Sequence, residues 1–305
     1  HKRYTLQLIE ICKNILFNYP SLIDYEIEDE EEITVCGDIH GQYYDVVNLF
    51  KINGYPGVAN KYLFNGDFVD RGSFSVECML TLIAWKCTNK EVLHMTRGNH
   101  EAKQVNHIYG FKGEVEAKYK DPGVYEAFSE LFCGLPLAYV INKKVMICHG
   151  GLPSYDGVTL KDIRDTYRFA EPPEKGLMCD LLWADPAPNP GHTPSKRGAS
   201  MAFGPDVTQR FLAENKLSTF EDLALLIRSH EVKPEGYEET HDKKCVTIFS
   251  APNYCDFSGN KAAFIRLKGD TMVPKYTQFA SVVLIVSCSL TLQLVRWHTR
   301  ATSVA

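Results

Sequence analysis

Six short apolar runs rich in β-branched and aromatic residues punctuate this chain: "ITVCG", "KYLFNG", "VLHMTRG", "KVMICHGG", "LLIRSHE" and "CVTIFSAPN". Runs of this length and composition read as buried strands. Helix-like stretches such as "QYYDVVNLFKING" and "FSVECMLTLIAWKC" lie between several of them. Strands alternating with amphipathic helices predict an α/β protein built on mixed β-sheet. An amphipathic helix is expected over 5–18 and a solvated loop at the acidic run 28–32. The Pro- and Gly-rich segment 184–198 reads as a long surface loop.

The runs share a second property. Most deliver polar residues immediately after the apolar stretch, where open α/β sheets build their sites. "GDIHG" offers Asp38 and His40; "GDFVDRG" offers Asp67, Asp70 and Arg71; "RGNHE" offers Asn99 and His100; "CHGG" offers His149; "RSHE" offers His230. The remaining histidines (His1, His94, His107, His192, His241 and His298) lack such company and read as core, surface or tail residues. Asp, Asn and His supply oxygen and nitrogen without thiolate, a donor set that suits manganese, iron or zinc. There are more donors than one ion needs, and a carboxylate has two oxygens with which to bridge a pair. Two ions about 3.5–4 Å apart form a clamp for displacement at phosphorus. Their charge outweighs that of the two aspartates, so the site wants an anion, and Arg71 can grip phosphate oxygens with a forked guanidinium.

Composition narrows the class. A net charge of −5 over 305 residues gives no bulk electrostatic case for nucleic acid. The ten cysteines form no C-x-x-C pair, and Cys36 and Cys148 sit inside apolar runs, which suits a reducing compartment. No signal peptide is expected from these residues, and a chain beginning at His1 without methionine reads as a fragment. The stretch 279–295 is uncharged, but Cys288, Leu290, Leu292 and Leu294 alternate with polar residues. Period two favours an extra strand or a poorly packed tail over a membrane anchor.

With these motifs and "SAPNYC" in place, the chain resembles the phosphoprotein phosphatase family of serine/threonine phosphatases from about Ile33 to Gln278. "NGDFVDRGSFSVE", "YGFKGEVEAKY", "SKRG", "FGPDVT" and "APNYCD" look nearest to its type five subfamily. The resemblance implies a metallophosphoesterase-like central β-sandwich of mixed sheets flanked by helices, with a dinuclear metal site at strand ends. It implies a lead-in over 1–32, a catalytic domain over 33–278 and a divergent tail over 279–305. The first ion would be held by Asp38 and His40, and Asp67 would bridge. Asn99, His149 and His230 would hold the second. Arg71 and Arg197 would bind phosphate, with Asn99 and Tyr254 nearby. His100, oriented by Asp70, would protonate the leaving serine or threonine oxygen. Hydrolysis would proceed by in-line attack of a metal-activated hydroxide, without a covalent intermediate. Two metal ions are expected, manganese in vitro and iron or zinc in cells. Expected partners are phosphoprotein substrates and, through a tetratricopeptide domain absent from this chain, chaperones. No nucleic acid or membrane partner is expected, and the expected location is cytoplasmic and nuclear.

Two departures stand out. The stretch 217–231 is several residues longer than the family pattern and lies just upstream of His230. After Gln278 the resemblance stops, so truncation there is expected to improve solubility without loss of activity. Two other functions compete: a nucleotide or dinucleotide polyphosphate hydrolase, and a pseudophosphatase that binds phosphopeptides as a scaffold.

Overall fold

The computed structural model describes residues 1–216 and 225–282. The chain opens with α1 (Lys2–Leu16) and β1 (Leu22–Tyr25). It continues through β2 (Glu32–Cys36), α2 (Tyr43–Asn53), β3 (Lys61–Asn65), α3 (Ser75–Thr88) and β4 (Leu93–Thr96). Three helices follow: α4 (Lys103–Tyr109), α5 (Phe111–Tyr119) and α6 (Pro122–Gly134). Next come β5 (Ala138–Ile141), β6 (Val145–Cys148), α7 (Leu160–Asp165), α8 (Leu177–Trp183), β7 (His192–Pro194), β8 (Met201–Phe203) and α9 (Pro205–Glu214). The last elements are β9 (Leu225–Arg228), β10 (Tyr237–Thr240), β11 (Cys245–Ile248), a 3₁₀ turn at Tyr254–Asp256, β12 (Ala262–Lys268) and β13 (Lys275–Phe279).

Two mixed sheets face each other, in the orders β1-β5-β6-β9-β11-β10 and β13-β12-β2-β3-β4. Ile33, Val35 and Leu63 of one meet Ile147, Ile227 and Ile248 of the other in a shared core. On the outer face of the five-stranded sheet, Cys36, Tyr62 and Phe64 pack with the helices α1, α2, α3, α5 and α6. The other sheet's outer face, through Met146, Cys148 and Leu226, packs with α7, α8 and α9. Both faces of the central strands are therefore covered, which is why their sequences are continuously apolar. In α1 the buried residues Thr5, Ile9, Cys12 and Leu16 fall at steps of four and three, one helical stripe.

All six apolar runs form strands. The segment 184–198 is less irregular than expected, because His192–Pro194 pairs with Met201–Phe203 in a small hairpin. The lead-in is part of the sandwich: β1 pairs in parallel with β5, and α1 is buried against the core. Described contacts continue past Gln278. Phe279 pairs with Ala262 and is buried in the outer core, and the Val282 amide donates to Asp45 at 2.8 Å. Truncation after Gln278 would thus remove a core aromatic. The alternating stretch lies outside the described residues from 283 onward, as do 217–224, yet β9 stands in parallel register with both β6 and β11.

Candidate metal centre

The parallel strands β2, β3 and β4 end on the same side as β6, β9 and β11, and a parallel bridge between Asp38 and Phe249 joins the two sheets there. The donors follow directly, each on a tight turn. His40, Asp67, Asp70, Arg71 and His230 all have φ between 41° and 74°. Non-glycine residues in this left-handed region cost about 1 kcal/mol or more each, and such strain collects at functional sites. Two glycines let the turns touch: a Cβ on Gly66 would fall 2.6 Å from Gly98, and one on Gly98 would fall 2.3 Å from Asp67.

The donor atoms suit cations. His40 donates Nδ1–H to the Val69 carbonyl (2.9 Å) and His149 donates Nδ1–H to the Asn65 carbonyl (2.8 Å), leaving both Nε2 atoms with a lone pair. His149 Nε2 lies 3.0 Å from Asn99 Oδ1, 3.2 Å from His230 Nδ1 and 3.3 Å from Asp67 Oδ2. Ligands at about 2.1 Å from one octahedral ion stand ~3 Å apart, the spacing of this cluster. The same Asp67 Oδ2 lies 3.6 Å from His40 Nε2, which is 3.7 Å from Asp38 Oδ2. Asp67 belongs to both donor groups, one with His40 and His100 and the other with His149 and His230. So many buried lone pairs converging on one another repel unless positive charge stands among them. With protein charges alone, burial would favour neutral His149, but Asp67 and Asp38 push it up to about 9. Burial raises Asp38 to about 7 and lowers His40 to about 3. Asp67 is buried too, yet His149, His100 and His40 hold it well below the usual carboxylate range. Buried His230 Nε2 has no protein partner. The donor set fits two divalent cations sharing Asp67.

The cleft above this floor has a volume of about 450 Å³. Of the expected residues, Asp38, His40, Asp67, Arg71, Asn99, His100, Arg197, His230 and Tyr254 line it, while Asp70 and His149 are buried behind. The Arg71 guanidinium stacks on the Tyr109 ring at 4.0 Å. Arg197 donates to Asp185 (Nε to Oδ2, 2.5 Å) and to the His230 carbonyl (2.9 Å). The Tyr254 ring stands 5.0 Å from that of His40. His100 donates Nδ1–H to Asp70 Oδ2 at 2.6 Å, and Asp70 Oδ1 accepts the Phe111 amide. Burial opposes charge on His100, but Asp67 and Asp70 outweigh it and raise its pKa. Its free Nε2 lies 3.9 Å from Asp67 Oδ2, so His100 borders the first donor group.

Several supporting residues escaped the sequence reading. Glu101 follows His100 in "RGNHE" and is fully buried. Its carboxylate accepts the amides of Asp67 (2.8 Å), Phe68 (2.8 Å) and Gly98 (2.9 Å), clamping two turns together. Asp185 ties Arg197 to the fully buried Arg228, which also pairs with Glu231. Asn65 and Trp183 touch His149 and His230. An acidic residue after "RGNH" was a visible signal for Glu101; Asp185, inside a proline-rich segment, carried none.

Comparison with known proteins agrees with this geometry. Residues 32–234 match the calcineurin-like phosphoesterase family. Serine/threonine-protein phosphatase 5 of Solanum lycopersicum is 56% identical over 282 residues, 92% of this chain and 50% of that protein. The Homo sapiens protein of the same name is 54% identical, covering 92% of this chain and 55% of its own length. The chain therefore spans about half the length of these curated relatives. A solved protein serine/threonine phosphatase of Saccharomyces cerevisiae, described as similar to human phosphatase PP5, superposes with a TM-score of 0.88 at 40% identity. That match covers 93% of this chain and 91% of the other. Two facing mixed sheets whose strands end on a shared aspartate, matched over this extent in sequence and fold, mean that the chain belongs to the calcineurin-like phosphoesterase family.

Proposed function

We propose that this chain is the catalytic module of a metal-dependent protein serine/threonine phosphatase. The observation that carries the reading is the pair of donor groups sharing Asp67 beneath a cleft that also holds Arg71, Arg197 and the His100–Asp70 pair. The relatives' names point to the same substrate class. Asp38, His40 and Asp67 would hold one divalent ion, and Asp67, Asn99, His149 and His230 the other. Manganese, iron and zinc all suit these donors. Bound ions supply Lewis-acid charge and a nucleophilic water near neutral pH.

The chain's own residues do the rest. Arg71 and Arg197 would grip the phosphoryl oxygens, with Asn99 and Tyr254 at the edge. Stacking on Tyr109 and pairing with Asp185 hold the two guanidinium groups in place before substrate arrives, which preorganises the electrostatics. His100 Nε2 would pass a proton to the leaving serine or threonine oxygen, a poor leaving group that needs an acid. Asp70 accepts from Nδ1, so it fixes the ring and favours its charged form. No side chain needs to be phosphorylated. A cytoplasmic and nuclear location, and chaperone partners engaged through another part of a longer protein, complete the proposal.

The substrate class is tested by comparing kcat/KM for a phosphothreonine peptide with that for a dinucleoside polyphosphate, both with manganese. A strong preference for the peptide is expected. Preference for the dinucleotide would overturn the reading in favour of a nucleotide hydrolase.

A further inference from the structure

Cys12 and Cys87 lie far from the metal centre, on helices that pack together. Cys12 belongs to the buried stripe of α1 and has no exposed surface, whereas Cys87, in the last turn of α3, is only partly buried. Cys87 Sγ reaches the Leu8 carbonyl at 3.9 Å. Leu8 is one turn ahead of Cys12, and a helical side chain leans toward its own N-terminus, over that preceding turn. Both sulfurs therefore occupy the same step of the α1 surface, near enough for each thiol to shift the ionisation of the other. Neither takes part in a disulfide.

We propose that Cys12 and Cys87 form a redox-sensitive dithiol site that a peroxide converts into a disulfide stapling α1 to α3. The chemistry closes with peroxide as oxidant. The Cys87 thiolate attacks one peroxide oxygen, breaks the O–O bond and becomes a sulfenic acid, while the departing hydroxide takes up a proton to give water. The Cys12 sulfur then attacks Cys87 Sγ, forming the S–S bond and releasing a second water. Two thiols lose two electrons and peroxide gains them.

Local chemistry supports that division of labour. The neighbouring Cys12 thiol outweighs the opposing effect of burial and, with the nearby Lys86 amine, lowers the Cys87 pKa. The same proximity, with burial, raises that of Cys12. The reachable sulfur is thus the nucleophile and the hidden one resolves it. Cys148 and Cys245 also influence each other, but both are fully buried, which closes that pair to an oxidant.

The test is peptide mapping after brief peroxide treatment of the whole chain, followed by alkylation of remaining thiols. The expected result is a crosslinked peptide containing Cys12 and Cys87, loss of two titratable thiols and a rise in Tm, all reversed by dithiothreitol. Cys87→Ser, at the partly exposed position, and Cys12→Ala should each abolish the crosslink. A Cys87 that is overoxidised while Cys12 stays free would overturn the proposal, as would crosslinking of another pair first.

Discussion

His100 is the residue on which the proposed chemistry turns, and it makes a prediction that a merely structural histidine would not. Its Nδ1 is committed to Asp70, so only Nε2 can serve a leaving group. General-acid assistance contributes about 10²–10⁴-fold, and more where the leaving group is basic. His100→Ala should therefore cost a phosphothreonine peptide far more in kcat than it costs an aryl phosphate. Equal losses on both substrates would contradict the acid role. His94 makes a separate prediction about stability. Burial pushes its pKa down to about 3, with Lys86 adding to the effect and the hydrogen bond to the Glu91 carbonyl opposing it. A folded-state pKa below the unfolded value of about 6.5 means stability that is present above pH 6.5 and lost as pH falls toward 3. By pH 5 the loss is roughly 2 kcal/mol. Urea midpoints of His94→Gln should fall less between pH 7.5 and pH 5 than those of the unaltered chain; an identical fall would refute the assignment. At this scale the sequence was informative wherever a residue offers its own side chain to the site at the end of an apolar run. It was silent on Asp185 and Asn65, whose contribution is to hold other residues still.

The elements explain why five left-handed residues persist around the centre. Each turn is over-determined by neighbours, and Glu101 is the plainest case, gripping the turn after β3 and the turn after β4 through three amides. Glu101→Gln would replace a carboxylate oxygen with a donor facing at least one of those amides. Groups that orient ligands typically carry a 10–100-fold effect on metal affinity. Calorimetric titration with manganese should show a loss of that order with far-ultraviolet circular dichroism unchanged, and unaltered affinity would count against the clamp. The strands that the sequence revealed are buried on both faces, although the equally buried β5 ("AYVI") and most of β12 ("AAFIRLK") stood out less. β10 ("YEET") and β13 ("KYTQF") are edge strands with polar, half-exposed residues, so their composition carries no apolar signal. The hairpin β7–β8 hid inside a proline-rich segment for the same reason.

For the molecule as a whole, the sandwich includes more chain than the motifs do. α1 and β1 precede the first motif, and Phe279 and Val282 follow the last, yet all are anchored. Ending the chain after Val282 should preserve Tm and activity per mole, because every described contact is kept. Ending it after Gln278 should lower Tm, since losing a buried aromatic costs about 3–5 kcal/mol. Equal Tm for the two truncations would show that Phe279 is not part of the core. The proposed activity is that of a metal-dependent phosphatase. The most direct measurement is phosphate release from a phosphothreonine peptide with manganese, repeated after chelation, with His100→Ala alongside. Release is expected that stops on chelation, returns with added manganese and collapses in the variant. No release from folded chain that still binds two ions, or release indifferent to chelation, would contradict it.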